Sequence, residues 1–205
     1  MKRVIDLSHK INSEMPVYPG DLRTNLQQTK RFDIDLYNSF NLNCGMHVGT
    51  HIDGPLHMID GKTNISEAEL ENFIGKAIII DISKNLVYEL NKDDLDFSDD
   101  VSIVLFRTGM SKFYGEEIYY SKSPQITGEV AEYLVKKKIK VIGFDSPSPD
   151  NYPYLIHKIL FKNDIHIVEN LTNLDKLEAK KEFQFIALPL KIDADSSLCR
   201  AIAMV

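Results

Sequence analysis

Seven short runs rich in valine and isoleucine, each closed by polar residues, glycine or proline, constrain this chain more than any other feature. They lie at Arg3–Leu7, Ala77–Ile82, Ser102–Phe106, Lys140–Phe144, Ile165–Val168, Phe183–Leu190 and Cys199–Val205. β-Branched side chains suit extended backbone, so runs of this length between turn formers read as strands. Three helices are expected among them. Thr127 is placed to cap one through Val130, Ala131, Leu134 and Val135, with Lys136, Lys137 and Lys138 complementing the dipole at its end. Ser66 with Glu69 is a capping-box pattern for a shorter helix. Pro153 precedes a third, Tyr154 to Lys162, which runs straight into the strand at Ile165. The expected class is α/β or α+β, with residues 1–205 as one domain and strand order left open.

Composition narrows the function. At 205 residues and 43% hydrophobic the chain can bury a sizeable core. Its net charge of −6 repels a polyphosphate, so nucleic acid is not an expected partner. No apolar stretch approaches the ~18 residues of a membrane span, and MKRVIDLSHK has no apolar run behind its charges. A cytoplasmic protein with Cys44 and Cys199 reduced is expected.

The histidines carry the chemistry. Three of six fall within eleven positions, in the segment HVGTHIDGPLH, as His47, His51 and His57 with Asp53 among them. Imidazole and carboxylate together are a ligand set for divalent metals such as zinc. Val48, Thr50, Ile52 and Gly49 argue against a helix here. On a strand, His51 and Asp53 share one face about 6.6 Å apart, while His47 would stand about 13 Å from His51. A bend at Gly49 is expected to bring His47 back, leaving room for an ion on that face. Cys44 is a further candidate thiolate, or simply a small buried residue.

Remote ligands are also legible. Glu169 shares a strand face with Ile165 and Ile167, where a carboxylate needs a cation. That cation is either a metal ion or the guanidinium of Arg107 or Arg200. His157, in an otherwise apolar helical turn, is either another ligand or a core histidine. The cluster Met15-Pro16-Val17-Tyr18-Pro19-Gly20-Asp21 reads as an exposed loop, with Tyr18 either a wall of a substrate pocket or packed beneath the turn.

The segment His47 to His57 resembles the HxGTHxDxPxH signature of the cyclase family, which includes bacterial kynurenine formamidase. The likeness extends to Ile5-Asp6-Leu7-Ser8-His9, the Met15–Asp21 loop, Arg107-Thr108-Gly109, Gly143-Phe144-Asp145-Ser146-Pro147-Ser148, His157, Glu169-Asn170-Leu171-Thr172-Asn173-Leu174, Ala187-Leu188-Pro189-Leu190 and Arg200-Ala201-Ile202-Ala203. It implies a swivelling β/β/α fold with a mixed, barrel-like sheet and flanking helices, a homodimer, and one or two zinc or manganese ions. It further implies that His47, His51 and Asp53 are ligands with Asp53 able to bridge, that His157 and Glu169 complete the set, and that His57 is catalytic. Relatives acting on aromatic formamides often carry Trp where Tyr18 stands.

The expected reaction is hydrolysis of a small-molecule amide such as N-formylkynurenine. A divalent ion lowers the pKa of bound water from 15.7 toward about 7, so that hydroxide forms and attacks the carbonyl. His57 would take the water's proton and return it to the departing nitrogen, as suits a side chain ordinarily titrating near ~6.5. Isatin-hydrolase-like opening of a cyclic amide and a non-catalytic metal-binding module are the alternatives. A serine-nucleophile formamidase is set aside, because no G-x-S-x-G stretch occurs and Ser146 and Ser148 lack the elbow glycines.

Overall fold

The computed structural model describes residues 3–90, 95–179 and 181–205. Its strands are β1 (Val4–Asp6), β2 (Asn25–Lys30), β3 (Ser39–Asn43), β4 (His51–Asp53), β5 (Ile74–Asp81), β6 (Val87–Tyr88), β7 (Val101–Arg107), β8 (Gln125–Ile126), β9 (Val141–Phe144), β10 (His166–Glu169), β11 (Phe183–Pro189) and β12 (Ser196–Met204). The α-helices are α1 (Phe32–Asp35), α2 (Glu117–Ser121), α3 (Gly128–Lys136) and α4 (Leu155–Lys162).

All seven Val/Ile-rich runs are strands of one sheet, in the order β1-β12-β11-β5-β7-β9-β10-β4. A further pairing of β4 with β12 closes seven of them into a barrel, with β1 added outside the ring. β5, β7, β9 and β10 run parallel, and the remaining pairs are antiparallel. This is the mixed, barrel-like α/β fold expected.

Side-chain alternation then sorts two cores. Ile52, Ala77, Ile79, Ile103, Leu105, Val141, Val168, Phe185, Ala187, Ala201 and Ala203 form one cluster inside the barrel. Their neighbours Ile78, Ile80, Val104, Phe106, Ile142, Phe144 and Ile167 face outward, under Val130 and Leu134 of α3 and Ile156, Leu160 and Phe161 of α4. Space inside is tight at Gly143, where a Cβ would sit 2.6 Å from Leu105 and 2.8 Å from Leu171.

Several local expectations change. Ser66 and Glu69 begin no α-helix: short 3-10 turns span Ile65–Glu67 and Leu70–Phe73, and the Ser66 hydroxyl donates to Asp193 instead. Thr127 does stand at the N-cap of α3, but its side chain makes no capping hydrogen bond. The irregular first half contains a hairpin, β2 with β3, which pairs with no other strand among the described residues. No helix among the described residues is long and apolar enough to cross a membrane.

Candidate metal centre

β4 lies between β10 and β12, so each of its residues has a partner on both sides. His51 stands opposite Glu169 and Leu198, and Asp53 opposite Ile167 and Ser196. Ile52 points into the barrel, so His51, Asp53 and Glu169 share the outer face with Ile167. These three side chains are almost fully buried.

The extended segment expected over residues 47–53 is a strand only from His51. The chain bends before it, with Gly49 at φ +58°, a conformation glycine adopts without a side-chain penalty. The bend brings His47 Nδ1 to 2.8 Å from Asp53 Oδ1, as expected. The space beside Gly49 is not vacant for an ion, because a Cβ there would meet the Met15 methyl at 2.9 Å. The ligand atoms converge on the other side, around Asp53.

His51 Nε2 lies 3.3 Å from Asp53 Oδ1 and 3.5 Å from Glu169 Oε2, and His157 Nε2 is 3.5 Å from Glu169 Oε1. His51 Nε2, Asp53 Oδ1 and Glu169 Oε1 are nevertheless buried without a hydrogen-bond partner. Orphaned buried polar atoms are costly, and here three of them belong to one cluster of neighbouring imidazoles and carboxylates. Donor atoms of His51, Asp53 and Glu169 lie within 4.8 Å of each other, and so do those of His47, Asp53 and His57. The two groups share Asp53. The donor set of imidazoles and carboxylates fits zinc or manganese chemistry, and the orphaned atoms fit a cation.

The surrounding hydrogen bonds fix which nitrogen is free. A carbonyl can only accept, so His51 Nδ1–H donates to Gly49 O at 2.9 Å and leaves Nε2 with its lone pair. Asn170 Nδ2 donates to the same carbonyl, while its own Oδ1 accepts from Tyr119. His157 Nδ1–H donates to Asp150 Oδ1 at 2.5 Å, and the second Asp150 oxygen accepts the Ile156 N–H at the start of α4. Such partners orient a metal-binding imidazole.

Electrostatics follow from this crowding. Burial opposes a charge on His51, but Asp53 and Glu169 outweigh it and hold its pKa well above the ordinary value. His47 is raised in the same way against burial, chiefly by Asp53. Burial also opposes His157, yet Asp150 and Glu169 raise it to about 10. Asp53 is held well below the usual carboxylate range despite burial, by His51 and His47. A cation binding here displaces protons.

Other expectations resolve plainly. Arg107 pairs with Asp81 and Arg200 with Asp6, so neither serves Glu169. Cys44 packs with Met15, Val48 and Leu198, burial raises its thiol pKa, and it joins neither ligand group. Both cysteines are free thiols. His57 sits on a 3-10 turn, Pro55–His57, against α4, with its ring centroid 4.2 Å from that of His47. Tyr18 lines the pocket, in edge contact with Tyr120 at 5.7 Å.

The pocket holds about 240 Å³, walled by Pro16, Met58, Tyr114, Tyr120 and Tyr154 besides Tyr18, with the metal-ligand candidates at its floor. A cavity of ~150 Å³ already accommodates benzene. Asp195 carries no signal in the sequence, because a carboxylate in Ile192-Asp193-Ala194-Asp195 looks like an ordinary loop residue; the pairing of Ser196 with Asp53 brings it to the site.

Residues 5–151 match the family profile described as "Putative cyclase". The chain belongs to the cyclase family. It is 32% identical over 206 residues to a kynurenine formamidase of Erythrobacter litoralis, covering 98% of this chain and 93% of that one. The match to a kynurenine formamidase of Bacillus cereus is 32%, covering 97% and 95%. Among solved structures, isatin hydrolase A of Labrenzia aggregata, bound to benzyl benzoate, superposes with a TM-score of 0.88 at 28% identity over 100% of this chain and 94% of that one. A predicted metal-dependent hydrolase from Bacillus stearothermophilus gives 0.81 at 25%, over 100% and 98%. This cyclase-family chain is a metal-dependent amide hydrolase acting on carbon–nitrogen bonds outside peptides.

Proposed function

We propose that this chain hydrolyses an aryl formamide of the N-formylkynurenine type to kynurenine and formate, using zinc or manganese held by His47, His51, Asp53, His157 and Glu169. The observation that carries this reading is the aromatic pocket opening directly onto the buried ligand cluster, joined to full-length relatives that are kynurenine formamidases. Bound there, a divalent cation supplies Lewis acidity to the attacking water and the scissile carbonyl.

The remaining steps belong to side chains. Tyr18, Tyr120 and Tyr154 present ring faces and edges to an aromatic substrate. His57 stands at the rim with His47, their side chains 27% and 29% exposed against 1–8% for His51, Asp53, His157 and Glu169. Its Nδ1 is engaged by Asp195 at 2.8 Å, which leaves Nε2 to accept the water's proton and pass it to the departing aryl nitrogen.

Opening of a cyclic amide is the second reading, favoured by the superposition on isatin hydrolase. Turnover of N-formylkynurenine and of isatin by zinc- and manganese-loaded protein separates the two. Turnover of neither at full metal content would point to a different amide substrate. The homodimer also stands as a proposal, for which exposed Phe32, Ile34 and Leu36 offer apolar surface; sedimentation reads it.

A further inference from the structure

One carboxylate oxygen serves two histidines of different kinds. Asp195 Oδ2 lies 2.9 Å from His47 Nε2 and 2.8 Å from His57 Nδ1. A carboxylate can only accept, so each ring must present an N–H to it. The consequences differ. For His47 the proton sits on Nε2, which leaves Nδ1 facing Asp53 Oδ1 at 2.8 Å. For His57 it sits on Nδ1, which leaves Nε2 free.

The position of Asp195 is built into the backbone. Its carbonyl accepts the Gly54 N–H at 2.9 Å, and the preceding Ala194 carbonyl accepts the Ile65 N–H at 2.9 Å. A Cβ at residue 54 would stand 2.9 Å from the Asp195 carbonyl oxygen, so a glycine is required for this approach. The buried Ser196 hydroxyl donates to the second carboxylate oxygen, Oδ1, at 3.3 Å and also lies 3.0 Å from His47 Nε2.

We infer that Asp195 is a positioning residue which sets complementary tautomers in a metal-ligand histidine and in the catalytic base through a single shared oxygen. The inference rests on the metal-hydrolase reading above. Its chemical content is that ligand orientation and base competence are coupled: removing one acceptor disturbs both. In other enzymes, replacing an orienting aspartate by asparagine leaves the geometry but favours the wrong imidazole tautomer, and loss of a carboxylate behind a metal-bound histidine weakens the metal.

Long-range proton–nitrogen NMR of the histidine rings in zinc-loaded protein tests this without substrate. Wild type is expected to carry the His57 proton on Nδ1 and the His47 proton on Nε2; a proton on Nε2 of His57 overturns the inference. Asp195→Asn is expected to disturb both tautomers and to lower zinc affinity about 10–100-fold in chelator competition. It should also lower kcat about 100- to 10,000-fold while KM moves less than about threefold. Asp195→Glu, which keeps the acceptor, should recover part of each loss.

Unchanged tautomers in Asp195→Asn, or kcat within about threefold of wild type, overturn the proposal. So does complete loss of zinc, which would make Asp195 a structural support of the ligands alone. If wild type turns over no formamide, the substrate reading fails, while the NMR and zinc-affinity results still decide the role of Asp195.

Discussion

β10 carries two ionisable residues three positions apart, His166 and Glu169, and alternation sends them to opposite faces of the barrel wall. His166 turns inward, its ring 4.8 Å from Phe73 and its Nδ1 without a hydrogen-bond partner. Burial there drives its pKa down to about 4. Glu169 turns outward between His51 and His157. Both are about equally buried, with 5% and 6% of their surface exposed. Depth therefore does not decide their fates. On the inner face burial outweighs the pull of Asp164, so the histidine stays neutral; the outer face gathers imidazoles around the carboxylate.

Breaking the outer face should cost the most. Glu169→Gln keeps the shape but removes the charge, and it is expected to lower metal occupancy and reduce turnover by at least about 1,000-fold while the fold persists. Metal analysis beside circular dichroism checks this. Full metal content would return Glu169 to a purely structural role.

His57→Ala comes next. Turnover should fall about 100- to 10,000-fold with metal content unchanged. Loss of metal would instead place His57 among the ligands, which its proximity to His47 and Asp53 makes a definite alternative outcome.

The inner face predicts an acid sensitivity. His166 has its pKa lowered in the folded chain, from 6.5 to about 4, so unfolding takes up a proton. Its contribution is neutral above about pH 6.5, and stability is lost as pH falls from there toward 4, by at most about 3 kcal/mol. Thermal melts across that range should flatten in His166→Leu. An equally steep acid loss in the variant would remove His166 as the cause.

Smallest is Ile52→Val, on the inward side of β4 between His51 and Asp53. Removing one methylene from a fully buried position should cost about 0.5–1.5 kcal/mol and leave metal affinity alone. A large loss of affinity would show that the two faces are not independent.

Legibility differed across the molecule in the same way. Six of the seven wall strands, and β1 outside the ring, were visible because their apolar residues serve two cores; β4, only three residues long and carrying His51 and Asp53, was not among those runs. The β2–β3 hairpin was not, because Asn25–Lys30 and Ser39–Asn43 are largely exposed and polar, leaving no buried alternation to read. His47, His51, Asp53 and His57 stood out by density, and Glu169 by an acid on an apolar strand face. Asp150 and Asp195 did not, since neither breaks a local pattern. The capping-box reading of Ser66 failed because Asp193, over a hundred residues away, takes the serine hydroxyl.

The amino-acid sequence alone determined the strand periodicity, the bend at Gly49 and the kinds of ligand available, because these depend on backbone sterics and side-chain chemistry within a few residues. Only the tertiary structure decided which carboxylates meet which imidazoles. That outcome hangs on β4 pairing with β10 and β12, segments more than a hundred residues distant, whose register is set by closing the barrel and not by any local preference.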